Sequence, residues 1–309
     1  MDTEQGTPVA TTEAAPPTSR SGRRTPLRPR NDFSTFIRIF NDIAGHRHRY
    51  EVFRDFVTMG AICLHNSVIP SKSLEDEYLA VIDRYDKKAQ TAFPVLLAEL
   101  IVLLDPEPRD ILGQLFMQFE LGNDRTGQFF TPPEISELIA QMTFGEAVAS
   151  ATEEFVTICE PACGAGGMVL AFAKVVIAAK KNPAKAMWAQ CQDVDRVAAL
   201  MCYLQLSLWN IPAVVIVGNT LAMEAREVFY TPAHRLGFWG VKLRRRERER
   251  AAKGLVCDTQ VPSSALDPAS NDTRDDAMPV EFSETLFATS EHQDRPVASG
   301  QQIGFDFGL

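Results

Sequence analysis

The stretch EPACGAGGM at positions 160–168 places Gly164, Gly166 and Gly167 directly after the apolar run FVTIC. Glycines at the end of a strand let the backbone turn tightly and approach a ligand closely, because no Cβ intervenes. The spacing is GxGG rather than the GxGxxG of dinucleotide-binding turns, which disfavours a pyrophosphate ligand. A second apolar stretch, AMWAQCQDVD, ends in two acids. An acid there suits the two hydroxyls of a ribose, with Asp193 the first candidate and Asp195 the second. A third stretch, AVVIVGN, runs into GNTL at 218–221. Together these features point to a nucleoside-containing ligand. The residues alone leave ATP, NAD and S-adenosylmethionine open. The interval from Gly164 to Asp193 is 29 residues, longer than the ~20 of the dinucleotide fingerprint, which a long intervening helix explains.

The elements that must position these residues follow from periodicity. FVTICEP, AMWAQCQD and AVVIVGN read as strands, separated by the helical runs GGMVLAFAKVVIAAKK and VDRVAALMCYLQLSLW. This is a βαβαβ pattern with continuous apolar strands, the mark of a parallel sheet covered on both faces. Upstream, TGQFFTPPEISELIAQMT reads as a loop feeding a helix, with Thr131 as N-cap, Pro132 at the first helical position and Glu134 in the first turn. Residues from Asp32 to about 120 carry apolar positions at helical spacing, as in Phe33, Phe36, Ile37 and Phe40, and Ser73 is placed as the cap of the helix over SLEDEYLAVIDRY. No internal repeat is visible. After Leu221 no further strand and helix alternate, so the sheet reads as three strands with an open edge, a feature that suggests a partner.

Composition narrows the class. The 309 residues are 45% hydrophobic and carry a net charge of −9. Leu255 to Leu309 alone hold ten acidic and two basic residues, so nearly all the excess belongs to the tail. The overall charge argues against a chain-wide nucleic-acid surface but leaves local patches open. The first 20 residues hold no apolar stretch of a secretory signal, and the longest apolar run, MVLAFAKVVIAA, is 12 residues with Lys174 inside it. A soluble, cytoplasmic protein is expected, with no membrane contact. The six cysteines (63, 159, 163, 191, 202 and 257) show no CxxC spacing and read as buried thiols in a reducing compartment. His46 and His48 form no ligand pair, and no metal is expected.

Four motifs in order make a family recognisable. TGQFFTPPEISELIA, ICEPACGAGGM, CQDVDRVAALMCYLQLSLW and GNTL, from about Leu121 to Leu221, closely resemble the adenine-N6 DNA methyltransferases, in particular the modification subunit of type I restriction-modification systems. The resemblance implies a Rossmann-like α/β core, S-adenosylmethionine as cofactor and methyl transfer to adenine N6 in DNA. Phe130, Thr131 and Pro132 match the segment that closes over the methionine moiety. Glu160, Ala162, Gly164 and Gly166 match the loop under methionine and ribose. Asp193 matches the acid that holds the ribose hydroxyls, and Asn219 stands where the family usually has an Asp facing the adenine ring.

The sequence also departs from that family. The Asn/Asp-Pro-Pro-aromatic tetrapeptide, which accepts hydrogen bonds from the target amino group and stacks on the flipped base, is absent. The one Asn-Pro pair, Asn182-Pro183, is followed by Ala, and the place after Leu221 holds AMEAREVFYTPAHRLGFW. No catalytic residue can therefore be named. Three function classes stay open: an S-adenosylmethionine-dependent DNA adenine-N6 methyltransferase; a catalytically silent cofactor-binding or regulatory protein, or one completed by a partner subunit; and a nucleotide-binding module unrelated to methylation. The run KLRRRERER reads as a salt-bridged helix with Glu249 facing Arg245. The expected organisation is a disordered segment at 1–30, a helical region at 31–125, a methyltransferase-like domain at 126–250 and an acidic, disordered tail at 251–309.

Overall fold

A computed structural model describes residues 32–119, 121, 130–150 and 154–258; the segments at 1–30 and 259–309 lie outside the described residues. Five helices come first: α1 (Ser34–Ala44), α2 (Arg49–Asn66), α3 (Lys72–Ile82), α4 (Lys87–Leu104) and α5 (Ile111–Gln118). Their caps follow local chemistry. Side chains of Ser71, Asp86 and Asp110 accept the N–H groups of Leu74, Ala89 and Gly113 that open α3, α4 and α5. Ser71 therefore takes the place expected of Ser73, because the helix starts one turn-fraction earlier, at Lys72. Aromatic packing holds this region together: Phe53 lies edge-on to Phe40, Phe116 and Phe119.

The α/β portion continues with α6 (Pro133–Ser150), β1 (Val156–Glu160), α7 (Gly167–Ala178), the one-turn α8 (Pro183–Ala186), β2 (Met187–Asp193), α9 (Arg196–Leu208) and β3 (Ala213–Val217). The strands β1, β2 and β3 are parallel neighbours in that order, with Glu160 opposite Cys191 and Asp193 opposite Val217. α6 begins at Pro133, not Pro132: the Pro132 carbonyl accepts the N–H groups of Ile135 and Ser136, so Pro132 occupies the cap position and Thr131 lies outside it. Asn182 accepts the N–H of Ala184, so the Asn-Pro pair is a helix cap.

A fourth strand corrects the three-strand reading. β4 (Glu227–Tyr230) pairs antiparallel with β3, with Val217 opposite Glu227. Its four residues were not legible as a strand because the nine-residue turn at 218–226 and the mixed run AMEAREV carry no strand period. In that turn the Gly218 N–H donates to the Asp193 carbonyl and the Arg226 N–H to the Val217 carbonyl. A Cβ on Gly218 would sit 1.9 Å from the Glu224 carbonyl oxygen. Arg196 ties the new edge to the helices, with both Glu227 oxygens and both Glu77 oxygens within 3.0 Å of its guanidinium nitrogens. α10 (Pro232–Leu236) and α11 (Trp239–Asp258) follow. Trp239 is fully buried against Phe155, just ahead of β1, and α11 runs past the expected start of the tail at 251. Glu249 does pair with Arg245.

Two cysteine expectations fail. Cys163, Cys191 and Cys202 are buried, but Cys63 and Cys159 are exposed. Cys159 lies on β1, the edge strand among the described residues, where alternate positions face outward.

Helical region and sheet share one hydrophobic core. α2 packs closely on α9, where Gly60 leaves room for Leu204. At its polar centre is Gln205 of α9, fully buried. Its Oε1 accepts the N–H groups of Ile111 (2.7 Å) and Leu112 (3.0 Å), and its Nε2 donates to Asp110 Oδ1 (2.9 Å) and the Ala165 carbonyl (2.8 Å). One amide thus joins the start of α5 to the glycine loop. Leaving such buried groups unpaired costs ~1–3 kcal/mol each. Gln205→Leu is expected to lower the unfolding free energy by ~3 kcal/mol, measured by urea denaturation; a loss below about 1 kcal/mol would show that water or rearrangement replaces the amide.

Candidate functional site

The glycine loop sits at the carboxyl ends of β1 and β2, the crevice where open α/β sheets bind ligands. Its conformation requires glycine at two positions: Gly164 has φ +51° and Gly166 φ +92°. A Cβ on Gly164 would come within 3.0 Å of the Phe130 ring, and one on Gly166 within 3.0 Å of Cys202 Sγ. Gly164 therefore lies under Phe130, whereas Gly166 faces α9 and opens α7. Phe130 is itself held edge-on to Phe116, 5.3 Å between ring centroids.

Asp193 organises the loop. Its Oδ2 accepts the Gly164 N–H at 2.8 Å and its Oδ1 the Asp195 N–H at 2.9 Å. The loop is further pinned by the Cys163 N–H donating to the Gln192 carbonyl and the Gly166 N–H to the Cys163 carbonyl. Asp195 has a different task from its neighbour: its side chain accepts the Val197 N–H and caps α9. Glu160, at the end of β1, accepts the Ala162 N–H at 3.3 Å. Burial pushes both carboxyls above their usual range, Asp193 against the pull of the Asp195 and Gly164 amides, Glu160 against that of Ala162 and with the Asp193 charge adding to the rise.

The turn after β3 closes the far side. Asn219 Oδ1 accepts the N–H groups of Leu221 (3.0 Å) and Ala222 (3.2 Å), so its oxygen serves the turn and its Nδ2 donors are what it offers a ligand. Thr220 Oγ1 donates to the Pro161 carbonyl at 2.6 Å, fastening this turn to the loop after β1. Val194, Leu221 and Met223 are exposed apolar side chains on the same rim, and Met223 has φ +51°.

The structure thus brings together Phe130, Glu160, Ala162, Gly164, Asp193 and Asn219 around the strand ends. Thr131 and Pro132 follow Phe130 and are exposed, and Gly166 is directed into the core. Sequence reasoning missed Thr220, Asp110 and Gln205. The last two had a signal: a polar residue on the buried face of YLQLSLW, and an acid three residues before Gly113. A small cleft of about 10 Å³ lies between α5, α6 and α7, lined by Asp110, Pro133, Glu137 and Gly167 among others. It is smaller than a typical ligand pocket of ~300–1,000 Å³. Burial raises the pKa of Asp110 there, against the hydrogen bonds from Gln205 and Gly113.

Residues 109–234, from the cap of α5 to α10, match the N-6 DNA methylase family. The match spans 126 of the 309 residues and makes this segment similar to N-6 DNA methylases. The match takes in the glycine loop, Asp193, all four strands and also Asp110 and Gln205. No curated protein and no solved structure matches the chain. Among the described residues no helix is long and apolar enough to cross a membrane, and no cluster of three metal-ligating side chains occurs.

The strand-end site carries a testable cost in its own carboxylates. Because burial raises the Glu160 pKa, the folded chain holds that proton more tightly than the unfolded chain does. Stability therefore falls as the pH rises from the unfolded carboxylate range through the folded pKa. Glu160→Gln keeps the acceptor for Ala162 and removes the charge. Its Tm should exceed that of the unaltered protein at about pH 7.5, with the difference shrinking toward about pH 4; a lower Tm at the higher pH would contradict this assignment.

Proposed function

We propose that this protein binds S-adenosylmethionine at the glycine loop and acts in the transfer of its methyl group to adenine N6 in DNA. The observation that carries the reading is Asp193. Within the N-6 DNA methylase segment it fixes the Gly164 amide and still presents a carboxylate at the strand ends. The backbone amides of Gly164, Val194 and Asp195 face this carboxylate, which keeps an acceptor lone pair for a ribose hydroxyl. The chemistry of the site fits the cofactor: acceptors for the ribose, a loop with no Cβ at Gly164, and an aromatic cover in Phe130.

Bound S-adenosylmethionine would supply an electrophilic methyl group. The chain's own residues would hold and orient it. Asp193 would bind the ribose hydroxyls, Glu160 and the Ala162 to Gly166 loop would underlie the methionine and ribose, Phe130 with Thr131 and Pro132 would cover the methionine, and Asn219 would donate toward the purine. We assign this unit to residues 126–250 on a Rossmann-like core behind the helical region 31–125, in a cytoplasmic protein of restriction-modification type.

A second reading rests on β4. Where the family's base-binding tetrapeptide is expected after GNTL, the chain loops into an antiparallel strand and continues as Thr231-Pro232-Ala233. On that reading the protein binds the cofactor but is catalytically silent by itself, or a partner subunit supplies the base-binding residues. The unpaired edge of β1 among the described residues supports a partner there.

Calorimetric titration tests the shared part. S-adenosylmethionine should bind the full chain, and Asp193→Ala should weaken it at least about tenfold, or ~1.4 kcal/mol. Absence of binding to the unaltered protein would refute the cofactor assignment. Incubation with methyl-tritiated cofactor and DNA separates the two readings: label in adenine N6 supports the enzyme, and binding without label supports the silent or partner-dependent form.

A further inference from the structure

The helix α4 is apolar on two faces. One face, with Phe93, Leu96, Leu100, Leu103 and Leu104, is buried and packs toward α1, α5 and α9. The opposite face shows solvent Val95 (54% exposed), Ala98, Ile101 (46%) and Val102 (46%). Nothing among the described residues covers this stripe, and it carries no charge between its ends. A contiguous exposed apolar helix face of this kind marks an interaction surface.

The ends of the stripe indicate what covers it. Lys87, the first residue of α4, and Asp105, its C-cap, are both exposed. They are 18 residues apart, which at 3.6 residues per turn is five whole turns, so both lie close to the line of Ala98, with the exposed Pro94 inside the helix on the same side. The face therefore reads positive, apolar, negative from one end to the other. Turned through a two-fold axis it matches itself: an antiparallel copy brings Lys87 against Asp105 at both ends and stripe against stripe between them. The isologous contacts of a C2 dimer have this self-complementary form. Antiparallel packing also sets the positive end of each helix dipole beside the negative end of the other. The small Ala98 near the centre permits close approach of the two helices.

The geometry points to a second copy of this chain as the occupant, docked through α4 in a symmetric antiparallel dimer. This inference is independent of the cofactor site. Sedimentation equilibrium on the full chain, at protein concentrations spanning about 1–100 μM, should show a species of twice 34.2 kDa. Ala98→Glu should leave the 34.2 kDa monomer. Lys87→Glu and Asp105→Lys should each raise the dimer Kd at least about tenfold, and the two together, which restore opposite charges across the axis, should recover it to within about threefold. Both charge changes suit their helix ends, Glu at the N-terminus and Lys at the C-terminus, so folding is preserved, as circular dichroism would verify. A monomer throughout the range, or a dimer whose Kd none of these variants changes, would overturn the proposal.

Discussion

The architecture depends on one buried amide. Gln205 makes four hydrogen bonds in a place without solvent, two to backbone N–H groups that open α5, one to the carboxyl that caps α5, and one to the backbone of the glycine loop. Without Gln205 the Leu112 N–H would lose this buried partner, while Asp110 keeps the Gly113 N–H and Ile111 keeps the Arg109 carbonyl. The consequence is geometric: the helical region is not a separate cap resting on the sheet but is bolted to the loop at the strand ends. That the N-6 DNA methylase match starts at Arg109, beside Asp110, is consistent with α5 being an integral part of that unit.

The second constraint is the placement of two carboxyls at adjoining strand ends. Glu160 and Asp193 are both partly withdrawn from water, and their charges repel. Among the described residues neither is paired in a salt bridge; backbone amides of Ala162, Gly164, Val194 and Asp195 face them. An arrangement of this kind is costly for stability and leaves acceptors available, a combination found at binding sites more often than in cores. Gly164 in the left-handed region adds a further local constraint that only glycine meets without strain.

The sequence made the parallel strands, their helices and the glycine turn legible, because buried strands read as continuous apolar runs and left-handed turns leave glycines behind. It made Asp193 legible through its place after the second strand. It did not reveal β4, whose four residues EVFY follow a turn made by side-chain and backbone hydrogen bonds of Asn219, Thr220 and Gly218 rather than by a recognisable turn dipeptide. Nor did it reveal which of Ser71 and Ser73 caps α3, a choice made by backbone geometry. Gln205 was hidden because periodicity counts positions as apolar or polar and cannot say when a polar side chain has every partner it needs.

In the proposed function the loop and Asp193 carry cofactor recognition, while the antiparallel β4 and the absence of the tetrapeptide bear on chemistry. A crystal structure of the chain with S-adenosylmethionine tests that recognition most directly. The account predicts the ribose hydroxyls within hydrogen-bond distance of Asp193, with the Gly164 amide still bound to the same carboxyl and Phe130 over the loop. Cofactor density elsewhere, or an Asp193 carboxyl turned away from the ligand, would contradict it.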